Sequence, residues 1–376
     1  MARYYLIAGE PSGDMHAANL MKHVKVHDAD ASFRYWGGDR MMAEGGVLVK
    51  HIRDRSFMGF CEVVSNLRTI LRNIKYCKQD ILLHRPDALI LIDYPGFNLR
   101  MADFAKSHGI PVIYYISPQV WAWKQSRVKK IKRVVDKLLV ILPFEKAFYR
   151  RFNMDVTFPG HPLLDEVVPL RESVNHAAFR KENRLSGKPI VALLPGSRKQ
   201  EISRMLTEMT TLAPHFNDYQ FVVAAVSNQE GSLYNQFTRR ENVSVVFDQT
   251  YSLLANARAA LVASGTATLE TALFGVPQAV CYKANPLSYF IARQLIRVKY
   301  ISLVNLIMDK PVLKEMIQNN FSQQAMRDEL DRLLHDETHR RKMKEAYRHL
   351  ESMLGGPGAS DNAARVVARF AGATKE

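Results

Sequence analysis

Ala88-Leu-Ile-Leu-Ile-Asp-Tyr-Pro-Gly-Phe-Asn98 sets out the plan of this chain in one short stretch. Five apolar residues without alternation read as a strand buried on both faces, Pro95 and Gly96 mark a turn, and an amphipathic segment follows. The same pattern recurs on both sides. Tyr4 to Ala8, Val112 to Ile116 and Lys137 to Leu142 are the other such runs in the first half. Pro189 to Leu194, Gln220 to Ala225, Val243 to Phe247, Ala259 to Ala263 and Gln278 to Tyr282 follow in the second. Buried strands separated by helical stretches predict parallel sheets covered on both faces. Asn153 to Lys188 carries Pro159, Pro162, Pro169 and Gly187, which places a boundary near residue 165. The expected fold is therefore α/β: two facing doubly wound, Rossmann-like domains with parallel sheets, residues 1–165 and 166–354. The carboxyl ends of both sheets would then surround one ligand cleft. Gly355-Gly-Pro-Gly358 breaks a charged helical region, and a last helix within 355–376 is free to pack back on either domain, the N-terminal one included.

Nearly half of the 376 residues are apolar, enough for two packed cores. No apolar stretch of signal-peptide or membrane-spanning length is visible; the longest uncharged run, Gly109 to Trp123, contains Pro111 and Pro118. Cys61, Cys77 and Cys281 lack metal-ligand spacing and read as reduced thiols of a cytoplasmic protein. A formal charge of +15, concentrated at Lys124 to Lys137, Lys146 to Arg151 and Lys283 to Lys299, calls for anionic partners. No nucleic-acid module accompanies those stretches, so an acidic membrane surface or phosphorylated small molecules rank above nucleic acid.

Four turns carry chemistry. Leu194-Pro-Gly-Ser-Arg198 joins a strand to a helix, where free amides attract anions; Gly196 permits close approach, Ser197 adds an amide, and Arg198 suits a diphosphate. Read alone, it fits a plain turn with a surface arginine equally well. Ala263 to Glu270 repeats the arrangement, with Ser264, Gly265 and Thr266 facing phosphate oxygens and Glu270 positioned for a ribose diol or simply exposed on a helix. Asp93 ends an apolar strand where a carboxylate would serve as general base, although on spacing alone a turn-capping aspartate is favoured. At Ala8 to Asp14, Glu10 and Asp14 would repel an anion, so Glu10, Ser12 and Asp14 suit hydroxyl recognition or a structural turn. Phe60, Val63, Val64, Leu67, Ile70, Leu71 and Ile74 recur at helical spacing among Arg68, Arg72, Lys75 and Lys78. That stripe is ordinarily core-facing; with basic flanks it also fits a membrane interface.

Taken together, these residues resemble lipid-A-disaccharide synthase. The resemblance runs through Ala8 to Asp14, Phe57 to Glu62, Ile92 to Asn98, Ser117-Pro-Gln-Val-Trp-Ala-Trp123, Leu142-Pro-Phe-Glu-Lys146 and onward to Tyr149, Phe158 to His161, Leu194 to Arg198, Ala263 to Glu270 and Tyr300 to Asn305. It implies a two-domain glycosyltransferase of the B (GT-B) architecture with an N-terminal acceptor- and membrane-facing domain and a C-terminal UDP-sugar donor domain. The family's reaction would join UDP-2,3-diacylglucosamine to 2,3-diacylglucosamine 1-phosphate with inversion, as a peripheral enzyme on the cytoplasmic face of the inner membrane, without cofactor or essential metal. By the same resemblance Asp93 is the candidate base, Arg198 a residue needed for activity, Glu270 and Asn305 donor-site residues, and Phe60 to Ile74 the membrane contact. Family members exchange C-terminal segments in a homodimer, which would let Asn305 serve a neighbour's site. Gly96 stands where the family often has a second aspartate, leaving Asp93 without that carboxylate; Val304 replaces a frequent proline, and Lys199-Gln200 replace small residues. The rival expectations are another UDP-N-acetylglucosamine enzyme, a 2-epimerase or a peptidoglycan glycosyltransferase, and a non-catalytic nucleotide-sugar-binding or membrane-adaptor protein.

Overall fold

The computed structural model describes residues 2–55, 67–238, 241–285, 289, 290, 294 and 298–373. The chain divides into two compact units, Met1–Pro162 with Leu354–Glu376, and Leu163–Met353. Among the described residues each unit is built on one six-stranded sheet, and every strand pairing is parallel. With helices on the sheets, this is the architecture of the B-type glycosyltransferases.

In the first unit the strands are β1 (Arg3–Ala8), β2 (Ser32–Gly37), β3 (Val47–His51), β4 (Ala88–Ile92), β5 (Val112–Tyr115) and β6 (Lys137–Leu139), in the order β3-β2-β1-β4-β5-β6. In the second they are β7 (Ile190–Leu194), β8 (Gln220–Ala225), β9 (Val243–Phe247), β10 (Ala257–Ala263), β11 (Gln278–Tyr282) and β12 (Glu315–Ile317), in the order β12-β11-β10-β7-β8-β9. Counted from its own first strand, each sheet reads 3-2-1-4-5-6. The direction of winding therefore reverses between β1 and β4, and again between β7 and β10. Outside the carboxyl ends of those two pairs the following loops diverge and leave a crevice for a ligand.

Residue choice explains the sheets. β1, β4, β5, β7 and β8 are buried almost throughout, as strands covered on both faces must be. β2 departs from that rule, because Arg34 lies within it. Arg34 Nε and Nη2 donate to Asp80 at 2.8 and 2.6 Å, Tyr5 Oη donates to Asp80 Oδ2 at 2.7 Å, and Trp36 Nε1 donates to Tyr5 Oη at 2.9 Å. This network pins the helix Leu67–His84 on the sheet through Asp80, with Asn73, Cys77 and Ile81 on the same buried face. The final helix, Ala359–Ala373, lies along the helix Pro11–His27, and Ala363, Ala364, Val367 and Ala371 join the core of the first unit. Gly160 has φ of +113° and sits where its Cβ would come within 3.1 Å of the Ala359 methyl, so the chain passes this junction only with glycine.

Burial by itself would raise the Asp80 pKa; the bonds from Arg34 and Tyr5 outweigh it and hold the carboxyl below its ordinary value. Removing it strands a guanidinium and a phenol. Asp80→Ala should lose about 3 kcal/mol of stability at pH 7 in urea denaturation. Because the folded pKa is the lower one, that loss should shrink as pH falls below about 4. A variant as stable as wild type at pH 7 would remove the network from this role.

Candidate functional site

Chain direction alone places four turns at the two switch points. In the first unit Ala8 pairs with Ile92, so Gly9-Glu10 and Asp93-Tyr94 leave the sheet side by side. In the second, Val262 pairs with Leu194, which sets Pro195 to Arg198 beside Ser264 to Thr266.

Asp93 and Tyr94 have φ of 44° and 48°, two consecutive non-glycine residues in the left-handed region. Such a conformation costs roughly 1–2 kcal/mol per residue and needs outside support. Asn98, fully buried, provides it: its Nδ2 donates to the carbonyls of Asp93 at 2.8 Å and Ile92 at 3.1 Å, and also lies 3.3 Å from that of Ile7. Tyr114 Oη donates to the Asp93 carbonyl at 2.5 Å. The Tyr94 ring lies over Gly9, where a Cβ would come within 2.3 Å of it. These contacts turn the Asp93 carboxylate into a half-buried position, and burial raises its pKa to about 6, helped by the charge of Glu10 and opposed by the Tyr94 amide. Glu10, in the turn after the neighbouring strand, thus brings a carboxylate whose charge is felt at Asp93.

The other expected acceptor-side residues separate. Glu10 precedes the helix Pro11–His27 without using its side chain as a cap, and Ser12 is exposed in the first turn. Asp14 takes the structural-turn role, one of its two expected readings. Its carboxylate accepts from the amides of Gly38 at 2.6 Å, Arg40 at 3.1 Å and Met41 at 3.2 Å, and is spent on starting the short helix Asp39–Ala43. The loop after β5, marked in the sequence as a distinctive block running into a basic stretch, was given no site residue. There Trp123 is 45% exposed, Lys124 Nζ stands 4.5 Å from its ring and Arg127 Cζ 5.3 Å, and the Arg127 charge reaches Tyr114 beneath Asp93. The distinctive blocks around it hold each other: Trp121 meets Phe144 edge-on at 5.0 Å, Ser117 bonds Tyr149, and Glu145 accepts from the Leu142 and Ile141 amides.

In the second unit Gly196 has φ of +96°, and a Cβ there would strike the Glu201 carboxylate at 2.3 Å. That carboxylate accepts from the amides of Ser197 and Arg198; burial raises its pKa, against the pull of Arg198 and those two amides. Gly196 thus makes room for Glu201 at this turn, and the Arg198 side chain is exposed. At the paired turn Ser264 Oγ donates to the Ile301 carbonyl at 3.0 Å, while Gly265 and Thr266 are exposed. Glu270 lies one turn into the helix Ala267–Leu273; Tyr251 Oη donates to its Oε1 at 3.3 Å, and burial raises its pKa. Asn305 makes a set of contacts within its own unit. It is buried, its Nδ2 donates to Leu313 O and Glu315 Oε1, and its Oδ1 accepts from the Leu313 amide. Glu315, which the sequence did not mark, also accepts from the Ile301 amide and from the Ser302 amide and hydroxyl. The pair braces the turn on which Ser264 rests.

Of the expected membrane stripe, Phe60, Val63 and Val64 lie outside the described residues, as does the Leu67 side chain. Ile70 is half-buried, and Leu71 is 53% exposed beside exposed Arg68, Arg72 and Lys75. Leu71 does not face the core. Among the described residues no helix is long and apolar enough to cross a membrane.

Comparison with known proteins gives a consistent result. The family described as lipid-A-disaccharide synthetase matches residues 4–368. The lipid-A-disaccharide synthase of Syntrophus aciditrophicus is 40% identical over 366 residues, 96% of this chain and 95% of that protein. That of Coxiella burnetii (strain Dugway 5J108-111) is 37% identical over 367 residues, 96% of each. Among solved structures, the UDP-GlcNAc 2-epimerase of Neisseria meningitidis bound to UDP-GlcNAc has a TM-score of 0.65 at 12% identity, covering 94% of this chain and 99% of that one. CalG4, the calicheamicin glycosyltransferase, has a TM-score of 0.61 at 15% identity, covering 100% of both chains. The structural likenesses concern the fold alone.

A raised pKa means that the folded chain prefers Asp93 protonated, so its burial destabilises the fold as pH rises through about 6. Asp93→Asn keeps the shape without the charge. It should be more stable than wild type at pH 8 by roughly 1–3 kcal/mol, with the gap closing toward pH 4. Equal melting of both proteins at pH 8 would show that Asp93 is not strained by burial.

Proposed function

The chain belongs to the lipid-A-disaccharide synthetase family and is a glycosyltransferase, and on that premise we propose that it transfers the sugar of UDP-2,3-diacylglucosamine to the 6-hydroxyl of 2,3-diacylglucosamine 1-phosphate. The products are a β-1′,6-linked disaccharide 1-phosphate and UDP. The observation that carries this reading is Asp93: a half-buried carboxylate with a pKa of about 6, on a strained turn beside Glu10.

Near neutral pH Asp93 is ionised and is a stronger base than an ordinary aspartate. It takes the proton of the acceptor hydroxyl as the oxygen attacks the anomeric carbon. The bond from that carbon to the diphosphate breaks with its electron pair leaving on UDP, so an α-linked donor yields a β-linked product. Burial, helped by the charge of Glu10, keeps the Asp93 pKa high, and Glu10 presents a second acceptor for sugar hydroxyls. Lys124 and Arg127, on the Trp123 face, suit the acceptor's phosphate. In the second unit, Arg198 and the exposed Thr266 and Gly265 suit the departing diphosphate, whose growing charge they would stabilise. Glu270, a half-buried carboxylate with a phenol on one oxygen, suits the ribose diol.

Incubating the protein with both substrates should yield disaccharide, detected by mass, with one UDP for each. Asp93→Asn should lower turnover about a hundred- to ten-thousand-fold while UDP affinity holds. In the wild type, kcat/KM should fall about tenfold per pH unit below 6. A variant with wild-type turnover would remove Asp93 as base, and a rearranged monosaccharide in place of disaccharide would favour the 2-epimerase chemistry instead.

We further propose that the exposed face of the helix Leu67–His84 meets an anionic lipid surface. Arg68, Arg72 and Lys75 supply charge worth about 1 kcal/mol each near such a surface. Leu71 and Leu83 supply exposed apolar contact. Flotation with phosphatidylglycerol vesicles should weaken with added salt, and further in Leu71→Glu/Leu83→Glu. Flotation unchanged by salt and by the double substitution would refute the contact.

A further inference from the structure

The unit Leu163–Met353 holds a second concentration of positive charge, far along the sheet from the donor turns. A cavity of about 740 Å³ opens where the carboxyl end of the helix Ala267–Leu273 meets the helix Glu337–Met353. Arg258, in its lining, is the second residue of β10, whereas Ser264 follows the last, so the cavity lies at the opposite edge of the sheet. Six basic side chains line it: Arg171, Arg258, Arg340, Arg341, Lys344 and Arg348. Its acidic lining residues are Glu337 and Glu351, and Glu351 is engaged by Arg171 at 3.2 Å.

Most of this charge is uncompensated. Arg340 is only 7% exposed and donates to the Leu334 carbonyl at 3.1 Å. Among the described residues Arg258, Arg341, Lys344 and Arg348 have no carboxylate within ion-pair distance. Arg340, Lys344 and Arg348 follow one another at i, i+4 and i+8 on a single helix face, a spacing at which like charges repel. The pKa of Arg340 is lowered by burial and then by Arg258, and that of Lys344 by burial and then by Arg340 and Arg258. An ordinary solvated face would disperse such charges. Here three separate elements converge them on a concave surface, an arrangement that a bound anion relieves.

We propose that this cavity is a second anion site, which takes a phosphate-bearing ligand independently of the donor turns. Guanidinium forks match phosphate oxygens in bidentate geometry, and four of the lining arginines leave their forks unengaged by carboxylates. The volume exceeds that of a bare phosphate and lies in the range of small-ligand pockets, so a phosphate carried on a larger group fits it.

The test uses the full chain carrying Arg198→Ala, which weakens anion binding at the donor turns, with and without Arg341→Ser/Lys344→Ser. Both substituted cavity residues are exposed, and their removal relieves repulsion, so the melting temperature without anion should stay level or rise. Inorganic pyrophosphate, followed by calorimetry, should bind the Arg198→Ala protein and lose at least tenfold in affinity on the added double substitution. In parallel, both proteins are floated with vesicles containing phosphatidic acid. Loss of pyrophosphate binding supports the site with a soluble phosphate as its ligand. Loss of flotation alone supports it with a lipid phosphate headgroup. If the double substitution changes neither measurement, the site is overturned.

Discussion

Two left-handed residues in a row, at the end of a fully buried parallel strand, are the constraint on which the first unit's chemistry depends. Neither Asp93 nor Tyr94 is a glycine, so the turn exists only because its carbonyls are held. Asn98 and Tyr114 hold them, each from a different element, and the Tyr94 ring closes over a glycine that has no side chain to obstruct it. Hydrogen bonds of about 1 kcal/mol each are of the right size to offset the strain. The reward is position. Without the kink the carboxylate would follow the strand's alternation; with it, Asp93 enters a half-buried crevice beside Glu10, where burial and like charge together make it a better base.

The second unit solves a related problem with different parts. It repeats the strand order of the first, so its switch point also lies between the first and fourth strands of its sheet. Here the Glu201 side chain lies against the turn after β7, in the space that Gly196 leaves. Behind the turn after β10 Glu315 gathers donors from Ile301, Ser302 and Asn305, so a single half-buried carboxylate orders the segment against which Ser264 leans.

Much of this was legible in the sequence, for physical reasons. Ala88–Ile92, Gln220–Ala225, Val243–Phe247 and Gln278–Tyr282 agree with the structure to the residue; all but the edge strand Val243–Phe247 are buried almost throughout, and such strands are written as largely apolar runs. Ser32–Gly37 escaped because Arg34 interrupts it, and only Asp80, 46 residues away, makes that arginine tolerable. Val47–His51 and Glu315–Ile317 escaped as short strands at sheet edges. Asp93 stood out as a carboxylate terminating an apolar run. Glu10, Arg127, Glu201 and Glu315 owe their importance to pairings or bonds that spacing does not record. Asp14, read for hydroxyl recognition or a structural turn, and Asn305, read by resemblance as a donor-site residue, both hold backbone groups that spacing does not reveal.

The closing helix of the first unit is encoded after the whole of the second. Ala363, Ala364, Val367 and Ala371 fill a core whose other walls come from the first forty residues and the strands up to β6. On the ribosome, the earlier-made body must therefore wait with an apolar groove uncovered while nearly two hundred further residues emerge. The later-made body, uninterrupted in sequence, has no such delay and is free to finish first. Shortening or tagging the carboxyl terminus would then injure the part of the molecule that was synthesised earliest.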